Sequence, residues 1–306
     1  MKDRILRILA IAAACAVLLV VLMGSLVTNT GSAYGCGNNW PLCNGQVIPT
    51  TSSDQTWIEF GHRFVSGLTS ILVFIVAIWI WIRLKNVKEI RFLSISSIFF
   101  ILLQAFLGMS AVVWGNSSIV LALHFGVSLL SFSSNLLIAF IVLEETNPNV
   151  QRIIPPIKKG MNWNFIILSI YTYILMYSGA FVRHTDSSLA ATDFPTINGR
   201  LFPVTLFSRA GVQYIHRVLA FILLVWLVWT LIVCLRRYKN IPSLTIALFA
   251  SLVLILLQAV SGIFILKTHM ALTFLLLHSF FVTLYFGILM IILMLGLRRN
   301  EQRSES

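Results

Sequence analysis

Three ionisable side chains open a long apolar segment at Glu59-Phe60-Gly61-His62-Arg63, and the arrangement recurs further along the chain. An offset of 154 residues carries His62 onto His216, Arg63 onto Arg217, His124 onto His278, Gln104 onto Gln258 and Gly108 onto Gly262. The same offset relates Pro41 to Pro195 and Gly45 to Gly199. One offset held over so many distinctive positions marks an internal duplication of about half the chain. Two histidines per repeat, at one depth in a helix bundle, have the geometry of a bis-histidine haem, whose iron the protein tunes through ligands and surroundings. A lone intramembrane histidine more simply bridges two helices; four at matched positions point to His62, His124, His216 and His278 as axial ligands. Zinc or copper would call for further Cys, His or carboxylate ligands at the same level, and a proton relay for polar groups across the whole bilayer. Arg63 and Arg217 stand where they can meet haem propionates, or else snorkel to the interface.

Glu59 breaks the symmetry, because the same offset places neutral Gln213 opposite it. Three residues before His62, it shares that residue's helix face. It is either a helix-start carboxylate favoured by the dipole or a catalytic group that takes a proton or stabilises positive charge beside the first haem. The second reading makes one half reactive and the other an electron-transfer half. His184 and His269 have no repeat partners and read as surface or interface histidines.

The elements that must position these groups are membrane helices. The chain is 58% hydrophobic and 10% charged, with a mean hydropathy of +0.92. A soluble domain of this length could not bury that much apolar surface. About 20 apolar residues cross the hydrocarbon core, and eight such spans occur, at about 6–28, 58–82, 92–113, 119–143, 164–182, 211–235, 243–266 and 270–297. The formal net charge of +12 forms no basic face, which argues against nucleic acid. Most basic residues cluster in alternate loops: Lys2/Arg4/Arg7, Arg83/Lys85/Lys88/Arg91, Arg152/Lys158/Lys159, Arg236/Arg237/Lys239 and Arg298/Arg299/Arg303. The positive-inside bias puts both termini in the cytoplasm. The first span is too long for a signal-peptide h-region and lacks a nearby cleavage site, so it reads as an uncleaved helix.

The first outer loop carries Cys36-Gly37-Asn38-Asn39-Trp40-Pro41-Leu42-Cys43. Two thiols in a Gly/Pro turn outside the cytoplasm predict a disulfide, worth about 2 kcal/mol by loop entropy, with a free or redox-active pair as the alternative. Cys15 and Cys234 lie within spans and read as small packing residues. Ser52-Ser53-Asp54 offers N-cap chemistry for the second span, and Trp114-Gly115-Asn116-Ser117-Ser118 a tight turn between the third and fourth. The pattern Gln-Ala-x-x-Gly in the third and seventh spans reads first as helix packing. An N-terminal half, 1–146, is expected to hold one haem site. A cytoplasmic linker, 147–163, joins it to a C-terminal half, 164–306, with the other. The expected fold is an all-α membrane protein, two parallel repeats each forming an antiparallel four-helix bundle.

At the Cys36/Cys43 loop, Glu59-x-x-His62-Arg63, Val182-Arg183-His184-Thr185 and His216-Arg217, the chain resembles the bacterial type of haem A synthase, and the resemblance runs through all eight spans. It implies that the C8 methyl of haem O is oxidised twice, through an alcohol, to a hydrated aldehyde that loses water. It implies a haem b on His216 and His278, substrate haem O between His62 and His124, and a need for the Glu59 carboxylate. It also implies a bacterial plasma membrane, with haem O synthase and an electron acceptor as partners. Some relatives carry a second cysteine pair in the second outer loop; this chain does not. The alternatives are a quinol-linked di-haem b cytochrome and a haem carrier without chemistry.

Overall fold

A computed structural model describes residues 2–50, 53–115 and 117–298. Ser52, Asn116, Arg299 and Arg303, named above, lie outside the described residues. Among the described residues eight α-helices run α1 Lys2–Asn29, α2 Asp54–Arg83, α3 Lys88–Val113, α4 Ser118–Thr146, α5 Lys159–His184, α6 Arg209–Arg237, α7 Pro242–Lys267 and α8 Leu272–Leu297. Each is long and apolar enough to cross a membrane. Seven outrun the apolar spans because helical hydrogen bonding continues into the flanking turns, and α5 starts at Lys159 rather than 164; α8 starts at Leu272 rather than 270, because His269 and Met270 have positive φ and Ala271 is the N-cap. Ser53, with extended φ and ψ, is the N-cap of α2. The chain divides into two compact units, 1–151 and 152–306.

In the first unit α1 packs on α2 and α4, and α3 on α2 and α4, closing a four-helix ring. Small residues are among those buried on α1 and α4: Ala10, Ala13 and Ala14 on the first, Gly126, Ser128 and Ser131 on the second. Small buried residues let helices in lipid approach closely. In the second unit α5 packs on α6 and α8, and α7 on α6 and α8, which is the same cyclic order. Its core is heavier, with Phe165, Leu168, Leu223, Leu227, Leu248, Tyr285 and Leu289 all buried. Two polar pairs lie inside it: Trp226 Nε1 donates to Asn164 Oδ1 at 2.8 Å, and the Tyr285 and Thr172 hydroxyls lie 3.3 Å apart.

Large apolar side chains face outwards on every helix, among them Ile71, Phe92, Phe221 and Phe249. Lipid is the solvent for such a surface. Cys234 is buried as expected, but Cys15 is exposed on α1, on that outward face rather than in the packing.

Candidate functional site

Each of the four histidines is backed by a glycine of the neighbouring helix. A β-carbon added at Gly24 (α1) would lie 3.4 Å from Cε1 of His62 (α2), and one at Gly108 (α3) 3.3 Å from Cε1 of His124 (α4). In the second unit the distances are 3.0 Å from Gly179 (α5) to His216 (α6) and 3.3 Å from Gly262 (α7) to His278 (α8). An alanine at Gly108, Gly179 or Gly262 would press on an imidazole edge, and one at Gly24 would just touch it, so each ring lies close against a bare stretch of the neighbouring helix. His62 and His124 lie near enough to interact electrostatically, as do His216 and His278. The structure thus brings the expected ligands together pairwise, one pair per unit. Among the described residues no three His, Cys, Asp or Glu side chains converge. Two imidazoles per site suit an iron whose other four ligands arrive with a porphyrin.

The Gln-Ala-x-x-Gly pattern, read from sequence as packing, belongs to these sites. Its glycines, Gly108 and Gly262, back His124 and His278, and the carbonyl of Gln258 lies 3.1 Å from His278 Nδ1. The Nδ1 atoms of His216 and His278 also meet serine hydroxyls, Ser178 at 2.8 Å and Ser261 at 3.0 Å. Those serines carry no motif and were not singled out from the sequence.

Glu59 is 3% exposed and Gln213 4% exposed, and each fastens the loop that precedes its helix. Glu59 Oε2 accepts from the backbone N–H of Cys36 at 2.8 Å, and its Oε1 accepts from Arg63 Nη2. Gln213 Oε1 accepts from the N–H of Ala191 at 3.1 Å, and its Nε2 donates to the Ser188 carbonyl at 2.7 Å. Arg63 Nη1 donates to the carbonyls of Asn39 (2.7 Å) and Leu42 (2.9 Å). Arg217 Nη1 donates to those of Asp193 and Thr196, both at 3.0 Å. The repeat extends to single atoms, since Asn39 and Leu42 plus 154 are Asp193 and Thr196.

The loops these groups hold have one trace. Each contains a cis X-Pro bond, Trp40-Pro41 and Phe194-Pro195, and each turns back at an Asn-Gly with positive φ, Asn44-Gly45 and Asn198-Gly199. Isolated bridges Cys43–Gln46 and Ile197–Arg200 flank those turns. Asn-Gly between paired residues is the strongest short-range hairpin signal, because both central residues need φ > 0. Both loops carry that signal in their sequence. The fasteners within the loops differ. Cys36 and Cys43 are joined by a disulfide. In the second loop Asp193 accepts from Thr196 Oγ1 (2.5 Å), Asn198 N (2.8 Å) and Gly199 N (2.9 Å). The Thr196 hydroxyl foremost, then the Gly199 and Asn198 N–H groups, hold the Asp193 carboxyl well below the usual carboxylate range. Alkylation of the isolated protein without reductant, followed by mass mapping, is expected to leave Cys36 and Cys43 unlabelled; full labelling of both would refute the bridge.

The whole chain has relatives. The family described as Cytochrome oxidase assembly protein matches residues 7–290. A protein named "Heme A synthase" from Bacillus licheniformis is 42% identical over 303 residues, covering 98% of this chain and 99% of that one. One of the same name from Shouchella clausii is 40% identical over 302 residues (97% and 99%). Another from Alkalihalophilus pseudofirmus is 39% identical over 284 residues (93% and 95%).

Proposed function

We infer the reaction from the chain's kinship: it belongs to the cytochrome oxidase assembly protein family, among the haem A synthases. It is a membrane enzyme that oxidises a methyl group of haem O to give haem A. We read the chemistry as two successive hydroxylation-type steps on the C8 methyl, through the alcohol to a hydrated aldehyde that loses water to leave the formyl group. Each step adds the oxygen of one water and releases two protons and two electrons, and the electrons leave to an electron acceptor. Haem O synthase is the natural supplier of the substrate.

The observation that carries the assignment of the two halves is the pair of matched histidine sites with a carboxylate beside only one. His62 and His124 would hold the iron of haem O, with Glu59 near the reacting edge. His216 and His278 would hold a haem b, which when bound supplies one-electron transfer. Both Glu59 oxygens already accept one hydrogen bond. Each keeps a second lone pair, so the carboxylate can take a proton without releasing the loop. Arg63 and Arg217 spend Nη1 on loop carbonyls, and a propionate would use the N–H groups that remain. The clusters of Lys and Arg support a topology with the chain ends on the cytoplasmic side and the Cys36 and Asp193 loops on the other; we take the membrane to be a bacterial plasma membrane.

Chromatography of haems extracted from cells expressing the protein, with and without a haem O supply, tests this. A formyl haem that appears only with haem O is the expected result. Protohaem alone in both cases would return the protein to an electron-transfer cytochrome or a carrier.

A further inference from the structure

The four histidines share their glycine backing but differ at Nδ1. Ser178 Oγ lies 2.8 Å from His216 Nδ1 and donates its own proton to the Leu175 carbonyl at 2.6 Å. A hydroxyl has one proton, so its oxygen must accept from Nδ1–H. Ser261 repeats the arrangement. It donates to the Gln258 carbonyl at 2.8 Å and accepts from His278 Nδ1 at 3.0 Å. Both rings are thereby fixed as the Nδ1–H tautomer, with the lone pair at Nε2, the form that ligates iron.

The first unit lacks these hydroxyls. Ser178 minus 155, the offset that relates Gly179 to Gly24, is Met23, and Ser261 minus 154 is Leu107. The Nδ1 atoms of His62 and His124 are buried without a hydrogen bond. That of His124 faces the Gln104 carbonyl from outside bonding geometry. Met23 lies against Gly61, next to His62, with its methyl 3.6 Å from where a β-carbon would stand. When Nε2 of such a ring binds iron, its proton sits on Nδ1 as a buried donor, with no acceptor at His62 and at His124 only the Gln104 carbonyl outside bonding geometry, which opposes ligation.

We propose that Ser178 and Ser261 are positioning residues that make the second unit the site that retains its haem, while Met23 and Leu107 make the first the site that lets its haem go. A hydrogen-bonded Nδ1–H makes imidazole a stronger donor to the metal and holds its ring in place. A cofactor that stays bound needs that strength. A substrate that must leave as product does not. The proposal rests on the reading above that His216 and His278 hold haem b and that His62 and His124 take haem O.

The test uses full-length protein purified in detergent as wild type, Ser178→Ala/Ser261→Ala, Met23→Ser/Leu107→Ser and His278→Ala. Two measurements apply: loss of haem to excess apomyoglobin, and the midpoint potential of the low-spin haem. Removing both serines is expected to weaken haem retention about 10–100-fold, the usual effect of losing a ligand's outer partner. It should also raise the potential, because a poorer donor favours ferrous iron; a tenfold change in that preference reads as ~59 mV. The Met23→Ser/Leu107→Ser variant should hold haem in its first unit through the same wash. If the double alanine variant fails to accumulate, Ser261→Ala alone, read by the same two measurements, decides. Unchanged retention and potential without the serines, alongside a His278→Ala protein that has lost its low-spin haem, would overturn the serine assignment. A His278→Ala protein that keeps its low-spin haem would instead overturn the haem b reading beneath it.

Discussion

His278→Ala is expected to abolish the low-spin bis-histidine haem spectrum of the purified protein while the polypeptide still inserts in the membrane. The ring is one of two iron ligands proposed for the second unit, and alanine offers no lone pair in its place. What surrounds it, the Gly262 backbone and the Ser261 hydroxyl, contains no strong ligand for haem iron. The core of that unit is built from Phe165, Leu227, Leu248, Tyr285 and Leu289, so the helices have reason to pack without the imidazole. His216→Ala should behave alike, because a low-spin centre needs both axial ligands. Optical and electron paramagnetic resonance spectra, normalised to protein, are the measurement. An unchanged low-spin signal in either variant would remove the pair from the haem b role.

Glu59→Gln is expected to leave the fold and haem binding in place but to lower haem A formation by about 10²–10³, the usual loss when one group aimed at a transition state is removed. The second unit shows why the fold should survive. Gln213 holds the Ala191 N–H just as Glu59 holds the Cys36 N–H, so an amide can do the fastening. What it cannot do is carry negative charge or accept a proton where the reacting methyl is proposed to lie. Haem O should accumulate, with some of the alcohol. Equal amounts of haem A from cells making equal levels of the two proteins would leave Glu59 as a loop fastener and nothing more.

The eight helices and both histidine pairs were legible because each leaves a local or periodic mark: some twenty apolar residues, or one offset between like residues. The fastening of the loops was not. Arg63 reaches the Asn39 and Leu42 carbonyls from 24 and 21 residues away, and backbone acceptors carry no sequence signature. Position 59 therefore read as a choice between catalysis and the helix dipole, when its visible work is to hold Cys36. The role of Ser178 and Ser261 was hidden for another reason. A serine inside a helix normally bonds its own backbone, as both do, and only the neighbouring helix shows that the same oxygen also receives a histidine proton.

The paired loops share a trace but not a fastener, and this sets what each can withstand. The Cys36–Cys43 bond yields to thiols and is indifferent to protons. The Asp193 network yields to protons and is indifferent to thiols. Because the folded Asp193 carboxyl sits below its ordinary range, its contribution is complete above the unfolded value of about 3.9 and fades only as the pH falls through the lower, folded one. The bond within the first loop thus answers to the redox state of its surroundings, and the network within the second to their acidity.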